Sequence, residues 1–446
     1  MTNREAPSGR SVDESPGRRA MTARRWECLR CGAEVAMSTW MPFRCPNSTT
    51  RDRHHALSIV DQPTPVEIPA DRHPFVSADE HLAWAACADA AGMDAVRRRA
   101  LVLEIDDAVR DVGGVGFHVT PFERSSVLSD VLGFDADGGV WVKDETGSVA
   151  GSQKARFLFS ILLHLRAAEE VGVLTERPRL AIASCGNAAL AAATLAKAVD
   201  WPIDVFVPTW MSDGFGDRLD ELGAIVHRST RTETDQAGDP AMLRFREAVA
   251  AGSIPFTVQG PENALCLDGG RTLGWEIATA LRHRGFAWLD GLFVQVGGGA
   301  FASATFTALA ASGIDVATFP VQTQGCAPLD RALQRAGERG IVDVGFHWDE
   351  LMTVWDDPTS LADGILDDET YDWVDIAHSL RIAGGSSVVA SEAMVVAAHG
   401  LAHDAGFEAS ATGSAGLAGL LHVLETDPDR FDATSRVAVV MSGVER

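Results

Sequence analysis

From residue 140 onward the chain alternates between short apolar runs and longer stretches with helical spacing. No other feature of the sequence narrows its folds so far. The runs at 140–143, 179–183, 203–207, 224–227, 291–296, 316–322 and 436–441 read as strands. The stretches at 154–171, 188–199, 214–222, 240–251, 269–283, 300–312, 388–405 and 413–424 read as helices. Strand–helix alternation at this spacing builds right-handed βαβ units, hence parallel sheets covered by helices. Ligands of such sheets bind at the carboxyl ends of strands.

Three loops with distinctive chemistry fall at those ends. Trp141-Val142-Lys143 ends in a glycine-punctuated turn, after which Lys154 opens a helix. A lysine at the mouth of a buried crevice loses its proton at modest cost and becomes a nucleophilic amine. Ser184-Cys185-Gly186-Asn187 follows the next strand, with Asn187 placed as an N-cap. Gly297-Gly298-Gly299 follows a later strand and leads into the helix that begins at Ala300. Glycines let the backbone approach an anion, and amides at a helix start point at it.

A dinucleotide fold is the rival reading of that last turn. Gly297, Gly299 and Ala302 fit G-x-G-x-x-A, and the pattern requires an acid about twenty residues later, at the end of the second strand. Asp315 has that offset but precedes the 316–322 run, which weakens an NAD(P)-dependent oxidoreductase. No lysine follows the glycines, so a Walker-type loop is excluded.

Size and composition set the frame. At 446 residues the chain is long enough for two domains, and 46% apolar residues supply their cores. The formal charge is −24, from 62 acidic against 38 basic residues. That sign disfavours nucleic acid and anionic membrane as partners. No segment reads as a signal peptide or membrane span. Seven cysteines in so long a chain make no disulfide framework, and Cys185, Cys266 and Cys326 read as free thiols. The cytoplasm is the expected compartment. Residues 1–25, rich in Ser, Pro, Gly and Arg, read as a disordered tail, with Met21 an alternative start.

Near the start, Cys28-x-x-Cys31-Gly32 is followed by Cys45-Pro46 and by His54-His55. Cys-x-x-Cys with a following glycine suits a metal knuckle. Three thiols leave a structural zinc site one ligand short, and His54 is the expected fourth, with His55 as its alternate. The competing reading is a vestigial knuckle that binds no metal.

Taken together, the loops resemble those of the fold-type II pyridoxal-phosphate enzymes, and among these the threonine-synthase-like branch, from about Thr120 to the C-terminus. Gly151-Ser152-Gln153-Lys154 is similar to the family's lysine segment. Ser184-Cys185-Gly186-Asn187 is similar to its asparagine loop, Gly297-Gly298-Gly299 to its phosphate loop, and Ser442-Gly443 to the segment that meets the pyridine nitrogen. The resemblance implies a tryptophan synthase β-like α/β fold with parallel-rich twisted sheets and a short cysteine-bearing N-terminal extension. It implies a large domain from residues 66–150 and 256–446, a smaller mobile domain at 151–255 and an extension at 26–65.

The same resemblance implies pyridoxal 5'-phosphate held as a Schiff base on Lys154. Asn187, Gly297, Gly298, Gly299, Ala300 and Ser442 would contact the cofactor, and Ser184, Cys185, Gly186 and Asn187 the substrate. The activity implied is that of a lyase or synthase: Lys154 takes the Cα proton of an amino acid, then a β- or γ-group is eliminated or replaced. A homodimer is expected. A neutral Ser442 at the ring nitrogen favours prompt loss of a leaving group. A non-catalytic binding module of the same fold is the further alternative.

Overall fold

A computed structural model describes residues 24–60, 64–233, 235 and 238–445. The tail expected at 1–25 therefore lies almost wholly outside the described residues. Arg25, its last residue, already opens a strand.

Thirteen strands are present among the described residues: β1 (Arg25–Cys28), β2 (Glu34–Ala36), β3 (Leu57–Val60), β4 (Phe122–Ser125), β5 (Gly139–Asp144), β6 (Leu180–Ala183), β7 (Ile203–Pro208), β8 (Ile225–Ser229), β9 (Ile254–Pro255), β10 (Trp288–Gln295), β11 (Asp315–Thr323), β12 (Val388–Ala390) and β13 (Arg436–Met441). They form three sheets. The N-terminal sheet is antiparallel, in the order β2-β1-β3. The large sheet runs β12-β11-β10-β13-β5-β4, parallel except for the antiparallel β4 at its edge. The third, β8-β7-β6-β9, is parallel throughout. The α/β architecture expected from the alternation is the one observed.

Helices cover the two larger sheets because the central strands are buried on both faces. Helix Leu265–His283 is buried along nearly its whole length and packs between helices Lys154–Glu170 and Ala300–Ala311. Two glycines make that close approach feasible. The Phe157 ring fills the space a Cβ would need at Gly270, and the Arg156 carbonyl does so at Gly269. Burial at this density is where most of the fold's stabilisation arises, at roughly 25 cal/mol per Å² of apolar surface.

The N-terminal sheet is docked on this body. The Met41 amide donates to Nε2 of His164 at 2.9 Å. Burial holds the His164 imidazole down to about 3, so it accepts that bond as a neutral ring. The Ala264 amide donates to the Phe43 carbonyl at 2.9 Å, and Arg44 pairs with Glu262.

Two expectations need correction. The stretch 388–405 is not one helix. Val388–Ala390 is a strand beside β11, and the helix runs Glu392–Asp404. Ser391 divides them, its Oγ accepting from the Met394 amide as an N-cap. Asn187 is not a cap either. Gly186 holds that position, and Asn187 is the first helical residue.

Candidate active site

Three neighbouring parallel strands aim their carboxyl ends at one place. β10 leads to the glycine turn, β13 to Ser442, and β5 to the loop that carries Lys154. Beside them, β6 of the other parallel sheet delivers Ser184-Cys185-Gly186-Asn187. Between these ends lies a cavity of about 680 Å³. Lys154, Asn187, Gly297, Gly298, Gly299 and Ser442 all line it. Ala300, Ser184, Cys185 and Gly186 do so as well. The sequence-predicted residues of all these loops are thus brought together, although up to 288 positions separate them.

The lysine stands apart for a reason the composition already held. The chain has only three lysines, at 143, 154 and 197. Lys143 is fully buried, its Nζ 2.5 Å from Glu276 and 2.7 Å from the Thr120 carbonyl. Lys197 sits at the end of its helix and donates to the Glu221 carbonyl. Lys154 alone lines the cavity.

Its segment is held by the chain's last residues. Ser152 bridges to Gly443, the Gln153 amide donates to the Ser442 carbonyl at 3.0 Å, and the Val444 amide donates to the Gly151 carbonyl at 2.9 Å. Gly151 has φ +68, and a Cβ there would stand 2.6 Å from the Val444 side chain, so only glycine suits the position. Asn187 Nδ2 reaches the Val444 carbonyl at 3.4 Å. Its Oδ1 has no hydrogen-bond partner among the described residues.

Below this segment lies a buried charge network. Arg156 donates Nε to Glu145 Oε2 at 2.8 Å and Nη1 to Glu276 Oε1 at 2.6 Å. Lys143 closes the group on Glu276, and Thr120 hydrogen-bonds Glu145. Burial opposes every charge here. The Arg156 and Lys143 cations outweigh it for Glu145, whose carboxyl is held below its usual range. The network fixes the first turn of the helix on which Lys154 sits.

Ser442 is positioned through Gln295. The Gln295 Nε2 lies 3.2, 2.7 and 3.2 Å from the carbonyls of Thr412, Gly413 and Val440, and 2.7 Å from Ser442 Oγ. Three carbonyls fix the amide's orientation, because only its NH₂ end can face them. Ser442 Oγ therefore accepts from Gln295, and its own proton remains to be donated elsewhere.

Sequence reasoning missed the wall opposite. Residues 354–371 contribute Asp356, Asp357, Asp363, Asp367, Asp368 and Tyr371 to the cavity lining. The Tyr371 ring stands 3.1 Å from the Cβ position of Gly298, and its hydroxyl donates to Asp368 at 3.1 Å. Burial raises the Asp367 carboxyl to about 6, an effect that the nearby Lys154 charge and a hydrogen bond from the Gly298 backbone oppose. Asp239 is a sixth acid on the cavity, against Lys154 and Arg231 as its cations. The acid-rich run of 354–371 was visible in the sequence, but nothing local said which cavity it would face.

At the glycine turn, Gly299 has φ +95 and caps helix Ala300–Ala311. Asp315, the acid of the dinucleotide reading, opens β11 and so lies at the opposite end of the sheet from this turn.

The thiol cluster forms as well. Cys28, Cys31, Cys45 and His55 bring their ligand atoms within 4.8 Å of one another. The histidine is His55, not the expected His54. His54 points away, to Asp349 at 2.5 Å and Glu369 at 3.4 Å, with its ring stacked on Trp348. The two rings part at a tight turn, where the His55 amide donates to the Arg53 carbonyl at 2.8 Å. No disulfide forms among the described residues, which include all seven cysteines. No helix among the described residues is long and apolar enough to cross a membrane.

Comparison with known proteins adds the family. The pyridoxal-phosphate dependent enzymes match residues 115–443. Among solved structures, a threonine deaminase from T.th. superposes with a TM-score of 0.58 at 20% identity, covering 77% of this chain and 98% of that one. A maize serine racemase does so with 0.57 at 16%, covering 77% and 92%. The diaminopropionate ammonia lyase of Escherichia coli, solved with an aminoacrylate–PLP azomethine intermediate, gives 0.58 at 16%, covering 78% and 89%. At these identities the likeness is one of fold. No curated protein matches the sequence.

Proposed function

The chain belongs to the pyridoxal-phosphate dependent enzymes, and we propose that within them it is an amino-acid lyase or β/γ-replacement enzyme with Lys154 as its working base. The observation that carries this reading is that the one lysine on the cavity, of three in the chain, shares it with the glycine turn, Asn187 and Ser442.

The residues present fit the cofactor. The glycine turn already packs against a carboxyl group, that of Asp367, whose oxygens fill the Cβ position of Gly297 and lie 3.6 Å from that of Gly298. Asn187 Oδ1 has no hydrogen-bond partner among the described residues, and the Ser442 hydroxyl has a proton left to donate. Lys154 would hold the aldehyde carbon, the Gly297-Gly298-Gly299 amides the phosphate, and Ser442 the ring nitrogen. When bound, the cofactor supplies an electron sink for negative charge at the substrate's Cα.

The protein's own part is narrower. Lys154 moves the Cα proton as general base. Ser184-Cys185-Gly186-Asn187, at a helix start, orients the substrate carboxylate. Ser442 offers a neutral partner to the ring, which favours prompt departure of the β- or γ-group.

A threonine-synthase-like specificity would bring a phosphorylated substrate into the cavity. Six aspartates against one lysine and one arginine favour a hydroxyl- or amine-bearing substrate over a phosphorylated one. The reading includes a homodimer, which light scattering on the purified protein tests, and a cytoplasmic location, which cell fractionation tests.

The test is reconstitution with pyridoxal phosphate, borohydride reduction and peptide mapping. The label is expected on Lys154. A screen of serine, threonine, 2,3-diaminopropionate and O-phosphohomoserine, read by keto-acid release, then assigns the substrate. A colourless protein that binds NAD instead would overturn the reading. A labelled protein inert to every amino acid would favour the non-catalytic module.

A further inference from the structure

The N-terminal cluster has the dimensions of a metal polyhedron. Tetrahedral zinc with Zn–S near 2.3 Å and Zn–N near 2.0 Å sets ligand edges of about 3.8 Å for sulfur–sulfur and about 3.5 Å for sulfur–nitrogen. Cys31 Sγ lies 3.6 Å from Cys45 Sγ, and Cys28 Sγ lies 3.4 Å from His55 Nδ1. A disulfide would need sulfurs about 2.05 Å apart.

The surroundings suit thiolates and a metal-bound imidazole. Asn47 donates its amide to Cys45 Sγ at 3.4 Å and its Nδ2 to Cys31 Sγ at 3.3 Å. His55 turns Nδ1 to the thiols and Nε2 toward Asp52 Oδ2, 3.4 Å away. A carboxylate behind the second ring nitrogen is the usual way a histidine ligand is oriented. Backbone geometry cooperates: the Gly32 amide closes the Cys28–Cys31 turn on the Cys28 carbonyl at 2.8 Å, and the Leu29 amide donates to the Ala56 carbonyl beside His55 at 2.9 Å.

Residues between and beside the ligands reach the segment that leads into the cavity wall. Arg30 pairs with Asp349 at 2.7 Å. His54, next to His55, pairs with Asp349 and Glu369. Leu29 presses its carbonyl on Gly345. Glu369 stands two residues from both Asp367 and Tyr371, which flank the glycine turn.

We propose that Cys28, Cys31, Cys45 and His55 bind one zinc ion in a closed structural site that fastens the N-terminal sheet and, through Arg30 and His54, steadies the 345–371 segment, whose later part walls the cavity. Four protein ligands leave no position for water or substrate, so the ion takes no part in the chemistry. This proposal is independent of the lyase reading, because metal content does not depend on what the cavity turns over.

The full chain, expressed with zinc and dialysed, should carry one zinc per chain by mass spectrometry of the metal. Cobalt exchange should give the intense visible bands of tetrahedral thiolate coordination. Cys31→Ser and His55→Ala should lose the ion, while His54→Ala should keep it. Removing zinc, or His54→Ala with zinc retained, should speed hydrogen exchange across 345–371. A metal-free protein, or a cobalt spectrum without thiolate bands, overturns the site even where the serine variant fails to fold. Zinc that leaves with His54→Ala but stays with His55→Ala overturns the ligand set. Unchanged exchange at 345–371 overturns the link to the wall.

Discussion

The carboxylate of Asp367 occupies the space where a side chain at Gly297 would begin, and its Oδ1 lies 3.6 Å from the Cβ position of Gly298. An internal anion thus sits on the turn that suits a phosphate.

Asp367→Asn should therefore tighten pyridoxal phosphate binding to the apoprotein, by about tenfold if the removed competition amounts to about 1.4 kcal/mol. The effect should depend on pH. Burial raises this carboxyl to about 6. Below that pH it is neutral and competes weakly; above it the charge opposes the phosphate. The advantage of the variant should grow as pH rises through about 6. Fluorescence titration of both proteins from pH 5 to 8 measures the ratio, in which the phosphate's own ionisation cancels. Equal affinities at every pH would refute the competition.

Replacing Lys154 by alanine removes the base and the covalent anchor. Turnover of whichever amino acid the screen identifies should fall on the order of 10²–10⁴-fold from the base alone. Borohydride should then fix no cofactor to the 151–156 peptide, while thermal stability stays near that of the parent.

Arg156→Met should cost stability rather than alter specificity. It leaves Glu145 and part of Glu276 charged, buried and unpaired. Breaking one partner from a buried pair typically costs about 3–5 kcal/mol. Urea unfolding, with the midpoint compared at equal slope, reads this out.

Asp372 gives a pH-dependent contribution of definite sign. Its carboxyl accepts from the Gly260 amide at 2.9 Å, and burial raises it to about 8. Unfolded, it would ionise at about 3.9. Its contribution to stability is full below about 4 and is lost as pH rises to about 8, because the unfolded chain releases the proton first. The thermal midpoint of the parent should fall relative to that of Asp372→Asn across this window. A constant difference between the two would contradict the assignment.

Ser442→Ala should keep the cofactor but lower turnover by about tenfold, the loss of one hydrogen bond of about 1.4 kcal/mol to a ring that accepts it. Retained turnover would place the ring nitrogen elsewhere.

Much of this was legible along the chain. The alternation of short apolar runs and helical stretches fixed a parallel α/β fold, since strand period and helix period are local properties. Lys154, Asn187 and the three glycines could be picked out from their loops, because each follows a strand signal, whereas Ser442 was named only through the family resemblance. The dinucleotide reading failed on the same kind of evidence, the wrong end of β11 for Asp315.

What the sequence could not supply were relations between distant residues. Whether His54 or His55 turns toward the thiols depends on how the loop before β3 packs between β1 and the distant Trp348 and Asp349. That Gln295 leaves the Ser442 proton free depends on carbonyls 117 to 145 positions away. That Asp367 rests on the glycine turn depends on a long irregular wall whose path carries no periodic signal. Local pattern determines which elements form and where they end; only packing, which matches surfaces across hundreds of residues, decides which side chains then meet.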